Sequence, residues 1–189
     1  MTNHLTVGDE IPESCELINL HINDLSLLFN AMDSSPLRDK DLDPKVEEFI
    51  VGWARDSRRD APFALRVNVD QPDVPEKIDS VRNAVHAFFR QRSLSATRSL
   101  RQLFRVGRTS LMIGIVFLSM AVILASLVER ALGESQISAL IRESMVIGGW
   151  VAMWRPLEIF LYDWWPIRAE RKLFDRLSVM PVRITFKTG

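Results

Sequence analysis

Twenty consecutive residues, Thr109 to Val128, contain no charged residue, no proline and no amide side chain. At a rise of about 1.5 Å per residue, a helix of this length spans the roughly 30 Å hydrocarbon core of a bilayer. A helix in the core of a soluble protein rarely runs so far without a polar face. This segment therefore predicts a transmembrane helix, and the rest of the chain has to be arranged around it.

The flanks of this segment differ in charge, although the 189-residue chain has 24 basic and 24 acidic residues and a net charge of zero. Residues 1–80 hold 17 acidic and 8 basic side chains, whereas residues 81–189 hold 7 acidic and 16 basic ones. Basic residues beside an apolar helix favour contact with anionic lipid headgroups. An acidic domain without a basic stripe argues against a nucleic-acid partner.

The basic excess is concentrated before the apolar segment, where positions 90 to 108 hold six arginines and no acidic residue. Four of these recur at spacings of three and four residues, so they form one stripe on a helix. They are Arg98, Arg101, Arg105 and Arg108. We expect this stripe to contact the anionic headgroups of membrane lipids.

A connection at residues 129–143 follows the apolar segment and is far less basic than either flank. By the positive-inside rule, the connection lies outside and both termini are cytoplasmic. The N-terminal residues have neither a basic region nor an apolar core, so we expect no cleaved signal peptide. The predicted location is the inner (plasma) membrane, crossed twice.

The second span has two candidate registers. Residues 144–162 are mostly apolar but include Arg155, Pro156 and Glu158, whereas residues 137–154 include a different charged pair. An aromatic belt that settles at headgroup level favours the first register. The belt consists of Tyr162, Trp164 and Trp165.

Arg155, Pro156 and Glu158 are the most informative residues of this span, because charges at membrane depth are costly and usually face a partner or a cavity. One interpretation is a polar spot that lines a pore or a subunit contact, with Pro156 opening the helix locally. The other is that Arg155 extends toward lipid phosphates and pairs with Glu158 near the cytoplasmic interface. We favour the second interpretation.

Small residues in both spans predict close helix contact. They are Gly148, Gly149 and Ala152 in the second span, and Ala121 and Ala125 in the first. We expect them to pack the hairpin against itself, and the alternative is a role in oligomerisation.

Three segments alternate apolar and polar residues and predict strands with one buried face: Cys15–Ile22, Phe63–Asp70 and residues 182–187. A single C-terminal strand needs a sheet to pair with, so it is expected to join the two N-terminal strands. Residues 1–14 are interpreted as a polar lead-in. Between the first two strands, Asp43 and Pro44 form a helix start. The apolar side of that helix is predicted to be Val46, Phe49, Ile50 and Trp53.

These elements together predict an α+β membrane protein. A two-helix transmembrane hairpin, with spans at about 109–128 and 144–162, is inserted in a small cytoplasmic α/β domain whose roughly three-stranded sheet is built from both chain ends. Residues 1–95 form the first part of the domain, residues 96–165 form the basic stem and hairpin, and residues 166–189 complete the domain.

The sequence contains no motif that fixes an activity. Asp39, Asp41 and Asp43 have the spacing that begins a calcium loop, but Pro44 and Ile50 occupy the positions of its glycine and glutamate. We expect no catalytic residue, no cofactor and no metal. Three further reactive side chains lack the spacing of a metal site or a catalytic pair: Cys15, His21 and His86.

The function predicted from these features is a non-catalytic one, in which the protein self-associates or serves as a subunit or adaptor through its cytoplasmic domain. Its expected partners are membrane lipids and either a second copy or another membrane protein. The alternative is a homo-oligomeric ion channel lined by the second span. A membrane-bound enzyme, with Glu158 and Asp163 as candidate carboxylates, is the less favoured third reading.

Overall fold

A computed structural model describes residues 4–30, 40–57, 61–70, 78–133 and 136–187. Its contacts divide the chain into two compact units. The first consists of Met1–Ser95 and Glu170–Gly189, and the second of Ala96–Ala169. The first unit holds a β-sheet, and the second holds the apolar helices.

The chain alternates strands and helices before and after the apolar segment. The elements in order are β1 (His4–Gly8), β2 (Glu16–Ile22), α1 (Pro44–Asp56), β3 (Phe63–Val69), α2 (Ile78–Leu132), α3 (Gln136–Glu158), α4 (Trp164–Leu177) and β4 (Val182–Lys187). A 3-10 turn, Leu25–Leu28, follows β2, and a π-helical turn, Ile159–Asp163, separates α3 from α4.

The four strands form one mixed sheet in the order β1-β4-β3-β2. Strands β2, β3 and β4 are parallel, and β1 runs antiparallel to β4. The prediction that the C-terminal strand joins the N-terminal strands is therefore confirmed. The expected number of strands is wrong, because β1 lies in the segment interpreted as a lead-in. Five residues that pair only with β4 leave little periodic signal in the sequence.

Helices α1, α2 and α4 contribute buried side chains to one core with the strands. The crossovers β2–β3 and β3–β4 step in the same direction across the sheet, and right-handed crossovers in the same direction place their helices on the same face. The side chains facing them form the core, with exposures of 9% or less. They are Ile18, Leu20 and Ile22 from β2, Leu65, Val67 and Val69 from β3, and Val182, Ile184 and Phe186 from β4.

Helix α1 begins as predicted, since the Asp43 carboxylate accepts a hydrogen bond from the Lys45 backbone N–H at 2.9 Å. Its buried face differs from the prediction. The core takes Val46, Ile50, Val51 and Ala54, and Phe49 and Trp53 are 45% and 37% exposed. The buried row repeats every four residues, which places the two aromatic rings at its edge. The apolar spacing also predicts that this helix ends near Arg58, which lies outside the described residues.

Helix α2 is a single helix of 55 residues, in which the predicted basic stem and apolar span are continuous. Among the described residues, it is the one helix long and apolar enough to cross a membrane. Only 11% of its most apolar window is buried inside the protein, whereas a core helix of a soluble protein would be mostly buried. The protein thus combines a mixed sheet with one long apolar helix.

The end of β1 depends on a glycine. Gly8 has a φ of +120°, and a methyl group on its Cα would lie 2.5 Å from the Val182 carbonyl oxygen. Gly8→Ala is therefore expected to lower the free energy of unfolding of the domain by about 2 kcal/mol or more. Gly52→Ala is the matched control, because Gly52 lies inside α1 with open space around its Cα, and alanine there should stabilise by about 0.5–1 kcal/mol.

Urea titration of the full chain in detergent, followed by circular dichroism, measures both effects. A Gly8→Ala variant as stable as the Gly52→Ala variant would contradict the close approach of β1 to β4.

Candidate functional site

Three glycines bring the backbones of α2 and the segment after Gly133 close together. A methyl group on Gly107 would lie 2.8 Å from Ile159 Cγ2, one on Gly114 would lie 2.9 Å from Met153 Sδ, and one on Gly149 would lie 2.5 Å from Leu118 Cδ1. Only glycine allows these contacts without displacement of a neighbour. Small residues at such positions are typical of helices that pack closely in membranes.

The structure brings three of the predicted small residues to the α2–α3 contact, buries a fourth and leaves the fifth in open space. Ala121 and Ala125 are buried, and the position of a Gly149 methyl group is 3.6 Å from Ala121 Cβ. The Ala152 carbonyl oxygen is 3.3 Å from the position of a Gly114 methyl group. Gly148 faces open space, with no atom within 4 Å of its methyl position.

Gly107 and Gly114 were not among the residues singled out from the sequence. With Ala121 they form a series of small residues seven positions apart on α2. A heptad spacing keeps residues on one side of a helix that packs against another. That spacing is the sequence signal by which both glycines could have been found.

Arg155 is the centre of a small ion-pair cluster. Its Nη1 lies 2.9 Å from Glu158 Oε2 and 3.5 Å from Asp163 Oδ2. The three side chains are 62%, 43% and 30% exposed, so the cluster lies at the protein surface. One cation faces two carboxylates on the same chain, and the pair with Glu158 is the contact expected from their i, i+3 spacing.

Pro156 lies within the last turn of α3 and is buried. Proline has no N–H to donate to the carbonyl four residues earlier, so it weakens the helix at this point. The π-helical turn Ile159–Asp163 begins three residues later and places Asp163 within reach of Arg155. The local opening of the helix by Pro156 stays a prediction, because the proline frees a carbonyl before it, whereas the π-helical turn follows it.

An aromatic cluster surrounds the start of α4. The Trp164 ring lies 4.9 Å from Trp165 and 6.5 Å from Phe104, measured between centroids, and its Nε1 donates to the Phe160 carbonyl at 2.8 Å. The Arg168 guanidinium lies 5.5 Å from the Trp164 ring centre. A mixed set of aromatic rings and cations is typical of the headgroup region of a membrane. Tyr162 and Trp165 are 71% and 63% exposed.

The predicted basic stripe lies along α2 beside this cluster. All four of its arginines are exposed on the helix surface. Their guanidinium groups are free to bind an external anion, since no ion pair joins them to a carboxylate of the described residues. They are Arg98, Arg101, Arg105 and Arg108.

On the side of the sheet away from the core, β3 and β4 present polar side chains in two successive rows. Arg66 of β3 and Arg183 of β4 are register partners on this face, and both are partly buried. The next row holds Asn68 and Thr185, which are also register partners. These side chains line a depression of about 430 Å³, together with His21, Asp70 and Thr6.

Arg183 is fixed by the turn that follows β1. Its Nε donates to the Asp9 carbonyl oxygen at 3.0 Å. The Asp9 carboxylate is occupied elsewhere, since it accepts from Arg82 Nη1 at 3.0 Å and from the Val182 backbone N–H at 3.2 Å. Asp9 thus joins β1, β4 and α2 without neutralising the guanidinium of Arg183.

The side chains considered for metal or nucleophilic chemistry lie apart. His86 Nε2 is 2.8 Å from the Met180 carbonyl oxygen, and His21 Nε2 is 3.3 Å from Asp70 Oδ2. Asp43 caps α1, and Asp39 lies outside the described residues. Within the described part of the chain, no group of three or more His, Cys, Asp or Glu side chains is arranged to hold a metal ion.

Comparisons with protein-family models, with curated proteins and with solved structures find no match to this chain. The candidate sites therefore rest on their own geometry, which consists of a close helix contact, an ion-pair cluster, an aromatic and basic girdle, and an open polar sheet face.

The helix contact predicts that two adjacent glycines differ sharply in tolerance. Gly149→Leu should lower the thermal unfolding midpoint of the protein in detergent by several degrees, because its side chain would meet the Leu118 backbone and side chain. Gly148→Leu is the matched control, since the same substitution one position earlier enters open space. Light scattering during heating measures both midpoints, and equal midpoints would contradict the contact.

Proposed function

We propose that the chain is a two-pass protein of the inner membrane, that α2 and α3 form its transmembrane hairpin, and that it acts by self-association through a cytoplasmic α/β domain. The observation that carries this proposal is the exposed apolar surface of both helices. Large side chains on α2 and α3 are about half exposed or more. Among them are Ile113, Val116, Ile123, Trp150, Val151 and Trp154.

Apolar surface of this extent is unfavourable in water and favourable in lipid. An exposed large side chain forfeits about 1.5–3 kcal/mol relative to burial, and a bilayer supplies that burial without a protein partner. The length of α3 supports a second span as well, since its 23 residues extend about 34 Å at 1.5 Å per residue.

The glycine contacts support a hairpin and indicate its register. Gly107 contacts Ile159, Gly114 contacts Met153 and Ala152, and Gly149 contacts Leu118. Residues later in α2 therefore contact residues earlier in the segment that follows it. Two helices in contact in this order run antiparallel. For the nearest neighbour of each glycine, the two residue numbers add to 266 or 267, which places residues 109–128 level with about 138–157.

This register supports the second of the two spans considered from the sequence, near residues 137–154, over residues 144–162. Arg155 then lies level with Leu111, near the cytoplasmic end of the first span. A charged side chain there reaches the headgroups easily, and its pairing with Glu158 lowers the remaining cost. The channel alternative relied on these residues lying deep in the layer, so this register favours the anchoring role.

Reporter fusions test the membrane topology. Fusions after residues 95, 135 and 189 should report inside, outside and inside, because arginines concentrate on the inner side. Removing the basic stripe with Arg98, Arg101, Arg105 and Arg108 all changed to Gln should reduce the inside signal at residue 95. Replacing the same number of exposed arginines in the first unit is the control. An outside signal after residue 189 would contradict the second span.

Self-association is expected to involve the exposed aromatic pair of α1. Phe49 and Trp53 lie one turn apart on a helix surface, and aromatic side chains contribute disproportionately to protein interfaces. The Phe49→Ala, Trp53→Ala double variant should weaken association by about tenfold or more, which corresponds to about 1.4 kcal/mol.

The particle mass is measured by light scattering or mass photometry after reconstitution into nanodiscs at increasing protein concentration. Val179→Ala removes another exposed side chain of the first unit and should leave the mass unchanged. A wild-type particle that is monomeric at all concentrations would contradict self-association. Ion conduction by the purified wild type in planar bilayers would favour the channel instead.

A further inference from the structure

We propose that the open face of the sheet is a binding site for a phosphate-bearing small molecule of about nucleotide size. This inference does not depend on the membrane topology. It starts from the core of the first unit, in which α1, the first part of α2 and α4 pack against strands that are mostly parallel. Parallel sheets are normally covered on both faces, so an uncovered face is unusual.

On β2, β3 and β4, the side chains of this face are polar in two successive rows. The first row runs from Asn19 through Arg66 to Arg183, and the second from His21 through Asn68 to Thr185. Strands that bear a second apolar face would instead be covered by a helix or a second sheet. The composition of the face therefore fits a polar ligand rather than a second layer of the protein.

Arg66 and Arg183 carry the argument for an anion. As register partners on neighbouring strands, they are separated by about 4.8 Å of backbone and point to the same side of the sheet. Like charges directly opposite each other destabilise a sheet unless an anion lies between them. No carboxylate in the described residues forms an ion pair with either guanidinium.

The nearby carboxylates are already engaged. Asp9 binds Arg82 and the Val182 backbone N–H, and it offers Arg183 only its carbonyl oxygen. Asp70 lies 3.3 Å from His21 at the other end of the depression. Arg183 is thereby oriented, and no carboxylate of the described residues neutralises either guanidinium group, so both can bind an external anion.

The form of the site favours a phosphate over a single carboxylate. Planar guanidinium groups bind phosphate oxygens in pairs, and two adjacent groups match the oxygens of a phosphate or diphosphate. The depression of about 430 Å³ lies within the range of about 300–1,000 Å³ that small-molecule sites occupy. Asn68, Thr185 and Thr6 offer neutral donors and acceptors for the rest of the ligand.

Calorimetric titration of the full chain in nanodiscs of zwitterionic lipid tests the proposal, with pyrophosphate and ADP as the probes. The wild type should bind at least one probe, and Arg66→Gln should weaken binding by about tenfold or more, since each charge-assisted pair contributes that much. Arg90→Gln is the control of equal charge change, because Arg90 is exposed on α2 away from the sheet face. It should bind as the wild type does.

A second variant distinguishes loss of ligand binding from loss of folding. Asn68→Ala leaves both arginines and their backbone contacts in place, and should weaken ADP more than pyrophosphate, because only ADP extends into the second row. Melting midpoints equal to that of the wild type confirm that both variants fold. Absence of binding of both probes at millimolar concentration, or binding that Arg66→Gln does not change, would overturn the proposal.

A lipid headgroup presents the same phosphate chemistry, and a third arm separates the two sources. In nanodiscs that contain phosphatidylglycerol, a headgroup in the site would weaken pyrophosphate binding to the wild type. Unchanged affinity would identify a soluble ligand as the occupant. Both outcomes support an anion site on the sheet face and differ only in the source of the phosphate.

Discussion

The structure depends on one pairing constraint: the last strand of the chain lies inside the sheet. Strand β4 has β1 on one side and β3 on the other, and its core-facing side chains Val182, Ile184 and Phe186 are at most 3% exposed. The chain must therefore return to the domain after its apolar segment. The long excursion between β3 and β4 is a crossover connection of a βαβ unit, enlarged by the apolar helices and otherwise ordinary in its topology.

The features with strong periodicity were predictable because local sequence determines them. The three parallel strands follow the alternation that buries Ile18, Leu65 and Ile184, and α1 starts where Asp43 can cap it. The rest depended on tertiary context. Strand β1 is defined by its pairing with β4, and the exposure of Phe49 and Trp53 depends on how α1 rotates against the sheet. Neither can be obtained from the pattern of one segment.

The candidate sites also divide into those that local sequence determines and those that depend on tertiary context. The basic stripe and the Arg155–Glu158 pair have spacings that a helix brings together, so both could be located from the sequence. Arg66 and Arg183 are 117 positions apart and become neighbours only through the register of β3 with β4. Each one, taken alone, is a single polar residue of an alternating strand. A prediction of the pair would have required both the strand order and the register of β3 with β4.

The position of β4 also sets the order of events during biosynthesis. Strand β3 and the apolar helices are made before β4, so the ribosome has to synthesise the chain through about Lys187 before β1 can pair at all. Until then β3 has a partner only in β2, and its other edge is unpaired, which is a hazard for aggregation. Insertion of the apolar helices into a bilayer would hold the nascent chain in place over this interval. Completion of the sheet is thus a late step, and a chain that stalls before β4 presents open edges to the cell's proteases and chaperones.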